Sequence, residues 1–377
     1  MDVGLVAGEA SGDLLGAHFI RALQQRYPHL RAAGIAGPRL AEAGVEAIYP
    51  SEKLAVNGYV EVLRHLPELL RIRSRMAALF LEQRPRVFVG IDAPDFNFSL
   101  ERRLKAAGIP TVHFVSPSIW AWRPERIHAI REAVSHMLVV FPFEEAIYRD
   151  AGIPVAYVGH PLADVIPLEP DADAARTALN LAAGPVFALL PGSRLSEVKR
   201  HARLMLEAAR LIARRHADAR FVLPAASEAA AELIERARAG LDLDLTVLAG
   251  QSHVALAACD VALVASGTAT LETALFKKPM VITYRVPALT AWLMRRKALQ
   301  PWIGLPNILA RDFLVPERVQ EAATPDNLAA DALAWLDDAP RREAAVERFR
   351  SMHASLRQNA AARIAEAVSP YLEERAA

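Results

Sequence analysis

Residues Val87 to Phe98 read VFVGIDAPDFNF. Four of the five residues from Val87 to Ile91 are apolar and three are β-branched, as in a strand buried on both faces of a parallel sheet. Two carboxylates, Asp92 and Asp95, follow in a turn set by Pro94, and Phe96 to Ala107 reads as a helix. In open α/β sheets ligands sit just beyond the carboxyl ends of the strands, where an aspartate can act as a base. Asp95 precedes the helix and is expected to be its N-cap, a role worth about 1 kcal/mol. Asp92, at the strand end itself, is left for chemistry.

The alternation of strand and helix continues on both sides. Asp2 to Ala7, Ala32 to Ala36, Val45 to Tyr49, Thr111 to Val115, Met137 to Phe141 and Val155 to Val158 are expected strands. Tyr59 to Gln83 is a long helical stretch interrupted at Pro67. Gly159 to Asp171 (GHPLADVIPLEPD), with three prolines and no periodicity, reads as a linker. A second series follows, with strands at Val186 to Leu190, Phe221 to Leu223, Leu245 to Leu248, Val261 to Val264 and Met280 to Tyr284. Arg341 to Tyr371 is expected to be one long amphipathic helix. The fold class is α/β, with two Rossmann-like doubly wound domains facing across a cleft. One domain spans 1–165 with a C-terminal helix from about 345 to 377. The other spans 166–344.

Composition removes several classes of function. The 377 residues carry a net charge of +1, which argues against bulk electrostatic capture of nucleic acid. The single cysteine, Cys259, permits no internal disulfide and fits a reducing compartment. No apolar run approaches the roughly 20 residues of a membrane span, and the opening DVGLVAG looks like a strand rather than a signal peptide.

Three loops after strands carry polar groups. Gly8 to Gly16 (GEASGDLLG) has neither glycine spacing of a dinucleotide or P-loop turn, and Glu9 and Asp13 would repel a pyrophosphate. Ser11 or Asp13 can cap the following helix, and Ser11 can instead contact a sugar hydroxyl or phosphate. Pro191 to Arg194 (PGSR) is either a diphosphate cradle or a plain turn with a solvated arginine. In Ser266 to Glu272 (SGTATLE), Ser266, Gly267 and Thr268 stand at a helix start that favours an anion, with Glu272 placed for ribose hydroxyls or for the helix dipole. The pairs Asp171/Asp173 and Asp242/Asp244 read as capping or solvated carboxylates, no His/Cys cluster has zinc spacing, and no metal is expected. Trp120, Trp122 and Arg123 in SIWAWRPER resemble a binding wall. His160 in GHP is a candidate substrate contact, and His113 stands isolated. Tyr59 to Phe80 combines leucines with arginines and fits a helix packed on the sheet better than one lying on a membrane surface, and Leu289 to Trp302 repeats the aromatic-plus-basic theme.

The segments VAGEASGD, AGPRLAEAG, GIDAPDFN, HFVSPSIWAWR, GHPLAD, LLPGSR, ASGTATLE and LPNILA together resemble the lipid A disaccharide synthase family, in order and over nearly the full length. The resemblance implies the GT-B architecture and an inverting, metal-independent glycosyl transfer without a cofactor. It joins UDP-diacylglucosamine to diacylglucosamine 1-phosphate in a β-1,6 linkage. It implies a cytoplasmic enzyme, peripheral on the inner membrane, and a homodimer with exchanged C-terminal segments is known in the family. Carried over by motif, Asp92 is the base. Ser11, Arg194, Ser266, Gly267, Thr268, Glu272 and Asn307 serve the UDP donor. Asp95, Trp120, Trp122, Arg123 and His160 lie on the acceptor or lipid side. A soluble UDP-sugar epimerase of the same architecture would lack the aromatic-basic surface. A non-catalytic nucleotide-sugar or lipid-binding protein would have no use for Asp92. The failed glycine spacing disfavours an NAD-dependent oxidoreductase.

Overall fold

The structure, a computed structural model, describes residues 1–8, 10–54 and 59–373, without the side chains of 10, 11 and 59–64. The chain forms two compact units, Met1–Asp164 with the segment from Leu356 onward, and Val165–Ser355. The first unit runs β1 (Val3–Ala7), α1 (Ala10–Arg26), β2 (Ala32–Ala36), α2 (Pro38–Glu42), β3 (Glu46–Pro50), α3 (Tyr59–Gln83), β4 (Val87–Ile91), α4 (Pro94–Ala106), β5 (Thr111–Phe114), α5 (Ile119–Trp122), α6 (Arg126–Ala133), β6 (His136–Val139), α7 (Glu144–Asp150), β7 (Val155–Tyr157) and α8 (Pro161–Val165). The second runs α9 (Ala172–Ala178), β8 (Val186–Leu190), α10 (Leu195–Arg215), β9 (Arg220–Ala225), α11 (Glu228–Arg238), β10 (Leu245–Ala249), α12 (Ser252–Ala258), β11 (Val261–Ala265), α13 (Thr268–Leu275), β12 (Met280–Tyr284), α14 (Ala288–Lys297), α15 (Leu305–Ala310), β13 (Glu317–Val319), α16 (Pro325–Asp337) and α17 (Ala339–Leu356). The last helix, α18 (Ala360–Glu373), returns to the first unit.

Each unit is built on a parallel sheet. The strand order is β3-β2-β1-β4-β5-β6-β7 in the first and β10-β9-β8-β11-β12-β13 in the second. Every residue of β1, β4, β8 and β11 is buried, as central strands covered by helices on both faces must be. In both sheets the chain reverses its direction of growth at the middle, between β1 and β4 and between β8 and β11. Strand ends at such a switch point leave a crevice for ligands. Behind β4, Phe88 meets Phe80 of α3 edge to face at 5.3 Å. Gly4 of β1 has no room for a side chain there, since a Cβ would sit 2.9 Å from the Phe80 ring.

Three expectations change. Helix α3 is continuous through Pro67, one backbone hydrogen bond short at that position. The helix after β4 starts earlier, at Pro94, so Asp95 lies inside its first turn and Ala93 occupies the N-cap. Proline's fixed φ suits the first helical position. The expected single C-terminal helix is two, α17 and α18, separated at 357–359. Alanine-rich periodicity runs through both and conceals the break, which distant residues impose. The Leu356 carbonyl accepts the His160 N–H at 2.9 Å, and Asn359 turns left-handed at φ +57°. The Asp164 carboxylate then caps α18, accepting the N–H groups of Asn359 at 2.9 Å and Ala360 at 2.6 Å. Gly159, at φ +85°, lies so close that a Cβ would approach Gln358 Cβ to 2.4 Å. The GHPLAD segment is thus the clamp on the returning helix. Helix α18 packs on α1, with Arg26 reaching Ser369 at 3.2 Å and Tyr27 reaching Glu373 at 2.7 Å.

Replacing the capping carboxylate should loosen this return. Asp164→Ala is expected to cost about 1–2 kcal/mol of unfolding free energy, read as a lowered urea midpoint.

Candidate active site

In the first unit, the ends of β1, β4 and β5 stand side by side, since Ala7 pairs with Ile91 and Ile91 with Phe114. The chain leaves β4 through two consecutive left-handed residues that are not glycine, Asp92 at φ +53° and Ala93 at φ +45°. On the neighbouring strand end Val115, a β-branched residue, takes φ +78°. Such conformations cost on the order of 1–3 kcal/mol each and collect at functional sites. The turn is held from several directions. Asp92 N–H donates to the Phe114 carbonyl at 2.9 Å. Asn97 Nδ2 donates to the Asp92 carbonyl at 2.8 Å. Gly8, in the loop after β1, lies directly on the turn, and a Cβ there would come within 2.4 Å of Ala93 Cβ. Asp92 is partly exposed. Among the described residues its carboxylate has no hydrogen-bond donor, which leaves it open to a substrate.

Among the described residues, the other acidic groups nearby are committed. Asp13 is buried and caps α2 rather than its own helix, accepting N–H bonds from Gly37 at 2.8 Å, Arg39 at 2.9 Å and Leu40 at 3.1 Å. Asp95, expected as an N-cap, is exposed and pairs with Arg126 at 2.5 Å. The side chain of Ser11 lies outside the described residues. Beneath the turn, His113 is not isolated: its Nδ1 lies 2.7 Å from Glu101 Oε1, both residues fully buried. Gly90 makes room for that carboxylate, since a Cβ there would lie 2.1 Å from Glu101 Oε1. Burial pushes the Glu101 carboxyl up. The signal in sequence was a glutamate on the inner face of α4, among the buried Asn97, Leu100 and Leu104.

The residues after β5 and β6 form a second cluster. Trp120 Nε1 donates to Glu144 Oε1 at 3.0 Å and meets Phe143 edge to face at 5.2 Å. Burial pushes the Glu144 carboxyl up to about 7. His160 stacks near Phe141 at 5.5 Å, its Nδ1 accepts the Leu162 N–H at 3.2 Å, and desolvation pushes it down to about 4. At neutral pH it is therefore an uncharged imidazole and offers a phosphate no positive charge. Trp122 is 41% exposed with the Arg123 guanidinium 5.0 Å from its ring centre.

In the second unit, β8 and β11 are neighbours, so their following loops leave the sheet about 4.8 Å apart. After β8, Gly192 adopts φ +119° and folds over Glu197, whose Cβ a Gly192 side chain would meet at 2.5 Å. Helix α10 starts at Leu195 with Arg194 as N-cap, and Glu197 accepts the Arg194 N–H at 3.3 Å. Ser196 lies inside the first turn of α10 and does not cap it. The Arg194 guanidinium is 55% exposed and 3.9 Å from Glu197. After β11, Gly267 and Thr268 are exposed at the start of α13, where the first amides have no acceptor within the helix. Glu272 lies 3.7 Å from His253 Nε2.

Two residues assigned to the donor spend their side chains on the loop instead. Ser266 Oγ donates to the Ile303 carbonyl at 2.9 Å. Asn307 is fully buried. Its Nδ2 donates to Val315 O and Glu317 Oε1, both at 2.9 Å, and its Oδ1 accepts the Val315 N–H at 2.9 Å. Glu317, on the short strand β13 that the sequence did not reveal, also accepts the N–H groups of Ile303 at 3.0 Å and Gly304 at 2.9 Å. Asn307 thereby braces the LPN loop. Asp171 caps α9 through the Ala174 N–H at 2.9 Å, and Asp244 pairs with Arg220 at 3.2 Å.

Two parallel α/β sheets in series, each with polar loops at its switch point, are the GT-B architecture of glycosyltransferases and sugar-nucleotide epimerases. The fold agrees: a UDP-GlcNAc 2-epimerase from Neisseria meningitidis superposes with a TM-score of 0.66 at 13% identity, covering 100% of both chains. At that identity the likeness shows the fold alone. The family model for lipid-A-disaccharide synthetase matches residues 3–369. The lipid-A-disaccharide synthase of Thiobacillus denitrificans is 77% identical over 369 residues, covering 98% of this chain and 99% of that one. That of Methylobacillus flagellatus is 52% identical over 375 residues, with 98% and 99% covered. The chain belongs to the lipid-A-disaccharide synthetase family, hexosyltransferases of lipid A biosynthesis. Membership implies a UDP-sugar donor and a lipid acceptor.

Two outcomes follow from the first unit's geometry. Gly8→Ala should cost about 1–3 kcal/mol by overpacking, and adding Ala93→Gly should recover most of it, since it removes the clash and the left-handed strain together. Thermal unfolding of both single variants and the double reads this coupling. Glu144 titrates near 4.5 when unfolded and near 7 when folded. The native state therefore holds the extra proton between these values. This contribution to stability is present at low pH and falls by on the order of 3 kcal/mol as pH rises through the window. Urea midpoints against pH should show that slope in the wild type and a flatter one in Glu144→Gln.

Proposed function

We propose that the chain transfers the diacylglucosamine unit of UDP-2,3-diacylglucosamine to 2,3-diacylglucosamine 1-phosphate. The products are the β-1,6-linked disaccharide 1-phosphate of lipid A and UDP. The observation that carries the residue assignment is the strained Asp92–Ala93 turn at the first unit's switch point, with an unoccupied carboxylate. Asp92 takes the proton from the acceptor's 6-hydroxyl as its oxygen attacks the anomeric carbon from the face opposite UDP, and the configuration inverts. The negative charge that develops on the departing diphosphate meets Arg194 and the amides of Gly267 and Thr268 at the start of α13. Glu272 accepts from the ribose hydroxyls. Ser11 stays assigned to a donor or acceptor phosphate by its motif. Ser266 and Asn307 act indirectly, by fixing the shape of the UDP loop. Trp122 and Arg123 are the acceptor-side contacts that their exposure favours. Trp120 lines that side while tied to Glu144, and His160 contributes through its apolar ring. Asp95, paired with Arg126, orients the α4–α6 edge.

No helix among the described residues is long and apolar enough to cross a membrane. The acyl chains of both substrates nevertheless require the enzyme to work at the inner-membrane surface, on its cytoplasmic side. In α3, Ile72, Met76, Ala77 and Phe80 are buried, whereas Leu66 and Leu70 remain exposed and available to lipid. A homodimer with exchanged C-terminal segments would use the non-helical link at 357–359, beyond which α18 docks as a separate helix.

The test is UDP release from the two purified lipid substrates in detergent micelles. Wild type should turn over; its failure to do so would sink the assignment of reaction. Asp92→Asn should lower kcat by about 10²–10⁴-fold, and Arg194→Ala on the order of 10²-fold. Near-normal turnover by Asp92→Asn would remove it as the base while leaving the reaction standing.

A further inference from the structure

Five of the nine large exposed apolar side chains of the second unit gather in one place. Leu289 is 71% exposed, Trp292 48%, Leu293 44%, Met294 46% and Leu299 56%. All lie on α14 or the two residues after it, and Ala291 is the helix's single buried residue. Leu289, Trp292 and Leu293, at i, i+3 and i+4, share one face of the helix. The stripe runs on into Arg296, whose guanidinium stacks 4.0 Å from the Trp292 ring centre. From Arg285 to Leu299 there are four cations and no aspartate or glutamate. Among the described residues the sole acid that reaches them is Glu321, 2.6 Å from Arg295; Arg296 and Lys297 are exposed.

We propose that α14, through Leu299, is a docking surface for an anionic lipid bilayer. Leu289, Trp292 and Leu293 enter the interface, and Arg296 and Lys297 meet the lipid phosphates. The inference deepens the reading of the chain as an enzyme of lipid substrates and rests on it for the membrane. Size favours a bilayer over a protein partner. The ten helical residues of α14 are about 15 Å long and about 10 Å wide, a footprint several-fold below the roughly 800 Å² that a stable protein interface takes from each partner. A bilayer accepts a single shallow helix of this kind, its indole at the headgroup level and its cations among anionic headgroups. The low polarity of the stripe fits too, because hydrocarbon provides no partner for directional hydrogen bonds.

The experiment is co-sedimentation of the purified full chain with vesicles of phosphatidylethanolamine and phosphatidylglycerol, beside vesicles of phosphatidylcholine alone. Wild type should bind the anionic vesicles more tightly. Arg296→Gln with Lys297→Gln should weaken that binding about 25-fold, about five-fold for each charge. Leu289→Ser with Trp292→Ser and Leu293→Ser should weaken binding to both vesicle types about tenfold or more. Both variants should retain wild-type turnover in micelles, which separates loss of docking from loss of the reaction. Unchanged vesicle binding by either variant would overturn the proposal. So would a change in oligomeric state of the triple variant by analytical ultracentrifugation, since the face would then belong to a second copy.

Discussion

A buried parallel sheet offers chemistry almost nothing but the ends of its strands, and in the first unit the decisive end is held in an unfavourable shape. Asp92 and Ala93 are both left-handed without being glycine. The turn persists because its surroundings over-determine it. Gly8 presses on Ala93 from one side, Asn97 holds the Asp92 carbonyl from α4, and the Asp92 amide is tied to β5. Pro94 then fixes the first helical residue. Relaxing the pair would require moving three neighbouring elements together. The result is a carboxylate presented by backbone geometry alone, with its own oxygens uncommitted among the described residues.

The motifs divide into parts that face substrate and parts that hold the first parts still. In GEASGD the glycine is contact surface and Asp13 is a brace, caught by three amides at the start of α2. In GHPLAD, Gly159, His160 and Asp164 all serve the junction before α18. In SGTATLE and LPN, Ser266, Thr270, Asn307 and Glu317 lace two loops together: Leu305 N–H donates to Thr270 Oγ1 at 3.2 Å, and that hydroxyl donates to the Gly267 carbonyl at 2.8 Å. Each braced group would be costly to leave buried and unpaired, about 1–3 kcal/mol. A motif residue can therefore be as demanding as a ligand without touching one.

This explains what could be read from the chain beforehand. The strands were legible because burial on both faces makes them continuous apolar runs, and the loops were legible because polar residues follow those runs at once. Asp92, Arg194, Gly267 and Thr268 were expected just after strand ends, and that is where they stand. What escaped was every assignment that depended on a partner distant in sequence. Asp95 looked like a cap until Arg126, 31 residues on, claimed it. His113 looked isolated because Glu101 belongs to another element. The bracing of Asn307 was hidden because its partners, Val315 and Glu317, lie just before and at the start of a strand too short to announce itself. The break at 357–359 is written at Gly159 to Asp164, where no local pattern could show it.

The two units also solve different electrostatic problems. Beneath the first unit's strand ends lie Asn97, Glu101, His113 and Glu144, all buried. Asn97 Oδ1, Glu101 Oε2 and His113 Nε2 have no partner among the described residues. A polar layer of that kind is expensive and leaves its members few alternative arrangements, which suits a base whose direction must not wander. The second unit offers amides at a helix start and a half-exposed arginine, groups that cost little until an anion arrives. A diphosphate brings its own charge and desolvates the guanidinium as it binds, so the interaction strengthens as water leaves.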